Sequence, residues 1–169
     1  MTSETADEPG VAARPQVDDD ARLYERLAPE LIRFATALVG RVDAPDVLSS
    51  AVVKALATPG WTAVTNRPAY LYRAVFNEAQ TWLRRTGRRP HLEARAQRAE
   101  PDRWELPDLR PEVGEAVAQL STQQRAVVVL TYWADLPPAA VAERLGIAEG
   151  TVRRHLARAR ARLREVLDA

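Results

Sequence analysis

LPPAAVAERLGIAEGTVRRHLARARARLR, residues 136–164, reads as a helix, a tight turn and a second helix loaded with arginine. Ala142, Gly146 and Val152 stand at the spacings a helix-turn-helix needs. A small side chain at Ala142 lets the second helix approach the first. Gly146 can take the positive φ that ends a helix, and Val152 fills the crossing. A unit of this kind lays its second helix in the major groove of DNA.

Charge along that second helix agrees. At about 100° per residue, Val152, Leu156, Ala159, Leu163 and Leu167 form one apolar stripe. Thr151, Arg154, Ala157, Arg158 and Ala161 fall opposite, with Arg153, Arg160 and Arg164 along one flank. From Gly150 to Arg164 there are six arginines and no acid. Arginine grips a phosphate or a guanine edge with two parallel hydrogen bonds, and alanine between arginines lets the backbone come close. The competing reading is a solvated face paired with acids elsewhere, but such faces usually mix signs.

Outward from this unit, 169 residues suit one domain or two small ones. With no cysteine, disulfides and thiolate metal sites are excluded, which fits a reducing cytoplasm. No apolar run approaches the ~20 residues of a membrane helix, and the acidic opening MTSETADEPG lacks a signal-peptide pattern. The net charge of +1 hides segregation: residues 1–20 hold six acids and one arginine, whereas residues 21–90 hold eleven bases and five acids. Such blocks suit a polyanionic partner.

Residues 1–18 have too little apolar content to pack and read as a disordered acidic tail. In residues 19–87, Leu23, Leu27, Leu31, Phe34 and Leu38 recur at helical spacing after the cap-like Asp18-Asp19-Asp20, and Gly40 ends the run. A second helix begins near Pro45 and buries Val47, Leu48, Ala51, Val52, Ala55 and Leu56. After an irregular segment around Trp61, Asn66 can cap a third helix near 67–86. Residues 88–111, with Pro90, Pro101, Pro107 and Pro111 among charges, read as a linker with a short helix near 91–99. Residues 112–169 add helices near 112–120 and 122–133, the latter with a capping box from Ser121 and Gln124, before the helix-turn-helix. The expected fold is all-α, two small helical domains joined by a flexible linker.

Trp61, Tyr70, Tyr72, Phe76 and Trp82 crowd into residues 61–82 of the basic half. Single-stranded DNA is held by stacking on aromatics in a positive groove, and Asn66 or Asn77 can offer hydrogen-bonding edges to a flipped base. The same rings can instead be core. Trp82 lies on the apolar stripe and is better read so; Tyr72 and Phe76 stay open to both.

The string LSTQQRAVVVLTYWADLPPAAVAERLGIAEGTVRRHLARARARLREVL, with its QR before an apolar run, its IAEGTV turn and its RARARLR tail, resembles the promoter-reading C-terminal domain of bacterial extracytoplasmic-function (ECF) sigma factors. AYLYRAVFNEAQTWLRR resembles the family's DNA-melting helix, so the likeness spans about three quarters of the chain. It implies a dissociable subunit that binds RNA polymerase core enzyme and promoter DNA in the cytoplasm, with no cofactor, no metal and no membrane insertion, and it admits an anti-sigma factor as a further partner. By position, −35 contacts fall to Thr151, Arg153, Arg154, Ala157 and Arg158, with Arg125 and Arg144 as phosphate ligands. The −10 strand falls to Trp61, Asn66, Tyr70, Arg73, Asn77 and Arg84. Polymerase contacts fall to Asp46, Ser49 and Ser50 on the second helix. The chain departs from the family pattern where Ser49 and Ser50 replace common Gln and Glu, Leu56 a common aromatic, Thr81 a common Asp, and Pro137 a common capping Ser.

Two other classes compete. TVRRH also occurs in stand-alone LuxR-type regulators, but residues 21–90 are too short and too helical for their usual receiver or ligand domains. An enzyme lacks support: His91 sits in the linker, His155 on the basic helix, and neither a nucleophile–base set nor a Gly-rich phosphate loop is present.

Overall fold

A proline in the first turn and acids close behind it, placed where the helix dipole favours them, start α1 (Pro15–Val39) within the last four residues of the expected tail. The computed structural model describes residues 15–86 and 111–168. The proposed linker helix near 91–99 lies outside these, as does most of the acidic tail. Gly40, at φ 88°, closes α1, its N–H bonding to the Thr36 carbonyl at 2.9 Å. α2 (Ala44–Leu56) buries Ala44, Val47, Leu48, Ala51, Val52 and Ala55. Leu56, expected inside, is 43% exposed. A single 3₁₀ turn (Trp61–Ala63) leads to α3 (Arg67–Arg85), which Asn66 caps by accepting the Ala69 N–H at 3.1 Å. α1, α2 and α3 pack on one another as a three-helix unit.

The second half comprises α4 (Pro111–Ala118), α5 (Thr122–Tyr132), α6 (Pro138–Leu145) and α7 (Glu149–Leu167). Both arms of the Ser121–Gln124 capping box are formed. α6 starts without a side-chain cap because Pro137 has none to give. α4, α5 and α6 pack on α7. Among the described residues the fold is all-helical, as the sequence indicates.

The two halves are not held apart. α5 packs on α1 and α6 on α3, and one apolar cluster runs from Leu31 and Phe34 through Tyr72 and Val75 to Val127, Val141 and Leu156. The cause is α5: Ala126, Val127, Val128, Val129 and Leu130 are all buried in succession. A helix apolar all round needs cover on more than one side, and α7 and α1 supply it.

Candidate nucleic-acid interface

The helix-turn-helix forms from α6 and α7 around Gly146, whose φ of 67° is the left-handed value that strains any residue with a Cβ. Val152 and Ala159 are fully buried and Leu156 nearly so, which fixes the rotation of α7. Leu167, placed on the stripe by periodicity, is 47% exposed because α7 outruns the helices beneath it. The outer face carries Arg153, Arg154, Ala157 and Arg158, all exposed, with Thr151 half-buried at its start. Arg153 pairs with Glu149 one turn back. Arg160, on the flank, donates from Nε to the Tyr132 hydroxyl at 2.7 Å and braces α7 on α5. His155 is half-buried; burial first, then Arg158 and Arg154, lowers its pKa from the usual imidazole value. It therefore adds no charge at neutral pH.

On the other half, Tyr70, Arg73 and Asn77 converge on one cleft of about 210 Å³ between α2 and α3. Lys54, Thr58 and Glu78, which sequence reasoning did not single out, complete its wall. Glu78 accepts from Lys54 Nζ at 2.6 Å and from Ser50 Oγ at 2.9 Å. Burial alone raises its pKa, but these two bonds and the Lys54 charge outweigh it and lower the net value. The Tyr70 hydroxyl reaches Thr58 Oγ1 at 3.4 Å, and its ring meets Trp61 edge-on at 5.7 Å. A lone lysine at i+4 from an inward serine was the signal available for Lys54. A wider groove of about 480 Å³ is lined by Arg22, Arg26, Arg67 and Thr65, with Asp19 among them. Arg22 and Arg26, spaced i,i+4 on α1, were also missed.

Trp61, placed on the −10 strand by resemblance, is 4% exposed and no stacking platform. Its Nε1 donates to Asp20 Oδ2 at 2.9 Å, and the Arg67 guanidinium lies 5.4 Å over its ring while pairing with Asp20 at 3.2 Å. Asp20, expected as a simple cap, thus anchors the loop. Tyr72 and Phe76 are core, at 3% and 4% exposure; burial and the hydrogen bond to Glu30 raise the Tyr72 phenol well above its ordinary pKa. Arg84 is exposed near the end of α3 and donates to Thr81 Oγ1 at 3.1 Å.

Arg125 and Arg144 are corrections. Arg125 is buried and donates to the Leu38 carbonyl at 3.1 Å, to Ala118 at 2.7 Å and to Leu120 at 3.0 Å. It closes the C-terminal carbonyls of α1 and α4 together, where helix dipoles favour a cation. Burial lowers its pKa to about 10, leaving it protonated at neutral pH. Arg144 lies 5.3 Å over the Tyr72 ring, with Nη1 3.5 Å from the Ala140 carbonyl. Neither faces outward toward a phosphate.

Asp46 and Ser49 are exposed on α2, whereas Ser50 turns inward to Glu78. Beside them, Val42, Val53 and Leu56 stand 71%, 66% and 43% exposed. Val53 and Leu56 share one stripe of α2 with Pro45 and Ser49, and Val42 stands in the turn just before it, an apolar surface that sequence reasoning did not separate from the core.

Residues 110–163 match the family model for sigma-70, region 4. The chain is 33% identical over 144 residues to the RNA polymerase sigma-E factor of Streptomyces avermitilis, an overlap covering 82% of this chain and 79% of that protein. To the ECF RNA polymerase sigma factor SigL of Mycobacterium tuberculosis it is 32% identical over 144 residues, covering 79% and 80%. The sigma factor RpoE, solved in complex with the anti-sigma factor NepR from Bartonella quintana, superposes with a TM-score of 0.68 at 25% identity, covering 90% of this chain and 98% of that one. CnrH, solved with the cytosolic domain of CnrY, shares the fold at a TM-score of 0.61 and 24% identity, covering 90% and 89%.

A helical chain of this shape with an arginine-faced helix-turn-helix is a promoter-binding protein of the sigma class. The chain belongs to the ECF family of RNA polymerase sigma factors. It is a sigma subunit that directs the polymerase core to promoter DNA, and the stand-alone regulator alternative is set aside. Among the described residues, no helix is long and apolar enough to cross a membrane.

Proposed function

We propose that α7 reads the −35 element and the α2–α3 cleft holds the −10 strand. The observation that carries the reading is the outer face of α7, where Arg153, Arg154 and Arg158 flank Ala157 on a helix whose rotation is set by buried Val152, Leu156 and Ala159. Rigid placement of guanidinium groups is what base-edge readout requires. In the first half, Tyr70, Arg73, Asn77 and Lys54 offer a ring edge, amide donors and cations around a space of about 210 Å³. Asn66 and Arg84 extend the same face, Trp61 positions the loop, and Arg22 and Arg26 track phosphates beside it. Thr151 supports the start of α7.

Asp46, Ser49, Val53 and Leu56 on α2, with Val42 in the turn before it, are the proposed seat on the polymerase, with Ser50 bracing Glu78 behind them. The chain works in the cytoplasm beside the polymerase, without catalysis or a cofactor of its own. An anti-sigma partner belongs to the proposal because RpoE, which resembles this chain across both halves, was solved with one. The test is transcription from a cognate promoter by core enzyme with and without the chain, on templates carrying or lacking each element. Start-site-specific transcript that needs both elements is expected; core enzyme indifferent to the chain rejects the reading.

A further inference from the structure

Among the described residues lining the α2–α3 cleft, Glu78 is the only acid. A carboxylate facing a polyanion repels every phosphate alike, whatever the sequence. It helps only where it reads a base edge. Lys54 Nζ at 2.6 Å from Oε2 and Ser50 Oγ at 2.9 Å from Oε1 fix both of its oxygens. Burial raises its pKa, but those bonds and the Lys54 charge outweigh it, so the group stays ionised at neutral pH and only accepts. An ionised carboxylate has about four lone-pair sites, so each oxygen keeps one for a further donor. Ala51, Ala55 and Ala74 present only methyl groups to the same space of about 210 Å³, with the Tyr70 ring beside them. A planar base is the shape such a slot admits.

The ion pair sorts bases by the Watson–Crick edges that a melted strand exposes. Cytosine and adenine each present an amino donor beside a ring-nitrogen acceptor: the amino group suits Glu78 and the ring nitrogen suits Lys54. Thymine and guanine reverse the pattern, turning a keto oxygen toward the carboxylate and an N–H toward the ammonium. We infer that Glu78, with Lys54 beside it, is a base-selecting acceptor: one position of the −10 strand must carry an amino base, cytosine or adenine, and keto bases are rejected there. The inference rests on the −10 assignment above. A site built to accept from an amino group discriminates more sharply than shape alone, because the wrong base leaves the carboxylate desolvated and without a donor.

The test uses holoenzyme formed from core polymerase and the full chain, on templates randomised through the −10 and −35 elements, with the transcripts sequenced. One −10 position should favour amino over keto bases by about tenfold or more in the parent. Glu78→Gln keeps the size but turns one acceptor into a donor, so it should bring that ratio to about twofold or less, with the −35 profile unchanged. Lys54→Met should lower yield on every −10 sequence while amino bases stay ahead, because the carboxylate remains. Were Glu78 only a brace for Lys54, the two variants would share one profile; a shared profile, or an unchanged ratio in Glu78→Gln, overturns the inference. The parent chain gives a second reading that does not depend on either variant folding. On a template premelted across the −10 element, 2-pyrimidinone replacing cytosine, or purine replacing adenine, removes only the amino group. Placed at that position on each strand in turn, it should lower yield about tenfold on one of them; full yield on both overturns the inference. Parent transcription that starts at one site yet ignores the −10 sequence counts against the −10 assignment, whereas −10 dependence with no amino–keto difference at any position rejects the base selection alone.

Discussion

Arg154 and Arg125 are the same side chain set to opposite uses, and their surroundings decide which. Arg154 stands on the exposed face of α7, so Arg154→Ala or Arg158→Ala should relax discrimination at the −35 element by about 1–3 kcal/mol per lost bidentate contact. Transcription from parent and −35-mutant promoters checks this: an unchanged ratio would place base readout elsewhere. Arg125 instead satisfies carbonyls at two helix ends. Arg125→Met should cost roughly 2–4 kcal/mol by leaving buried acceptors without donors, seen as a lower urea midpoint at unchanged slope. Sequence alone could not separate the two uses, because residue type reports charge and not burial. A hint was present: Arg125 lies three and four residues before buried Val128 and Val129, on an apolar face. Trp61 misled in the same manner, since a tryptophan in a basic loop suits a stacking platform and a buried anchor equally until Asp20 is seen to accept from its indole.

Elements were legible wherever a local rule acted alone. Gly40, Gly146, Asn66 and the Ser121–Gln124 box each fix a helix end through φ or a side-chain bond within a few residues, and each end falls where sequence places it. What failed depended on neighbours: Leu56 and Leu167 have the right period, but nothing packs over them. On α2 the exposed residues belong to the proposed polymerase seat. A polymerase seat built from Val42, Val53 and Leu56 gains from apolar burial, so core binding should change little with added salt, unlike binding through screened surface charges. Val53→Asp should weaken core affinity about tenfold or more, since a buried valine contributes about 1.5–3 kcal/mol; competition for core enzyme measures both, and unchanged affinity would move the seat off this stripe. On α7, His155 has a lowered pKa in the folded chain. The unfolded state then binds more protons as pH falls below about 6.5. Stability should be fully retained above that value and decline toward pH 5, and His155→Gln should flatten the decline in urea titrations run across that range.

At the scale of the whole molecule, the sequence showed two halves and concealed their union. Charge blocks and prolines mark a boundary between residues 87 and 111, yet the contacts across it are a carbonyl taken by Arg73, others taken by Arg125, and an apolar run in α5 covered from both sides. None of these leaves a periodic trace, because each joins residues far apart in the chain. Each half alone is near the ~60-residue size at which a core is marginal, so sharing one core stabilises both. Two independent beads would lose stability only in the half that carries a mutation. Here Arg125 caps α1 as well as α4, so Arg125→Met should lower amide-exchange protection in residues 15–86 by nearly as much as in residues 111–168. Global unfolding is the route by which the most protected amides in both segments exchange, so in the parent chain their protection should converge on one free energy. Protection lost only from residues 111–168 would show that the halves meet without sharing their stability.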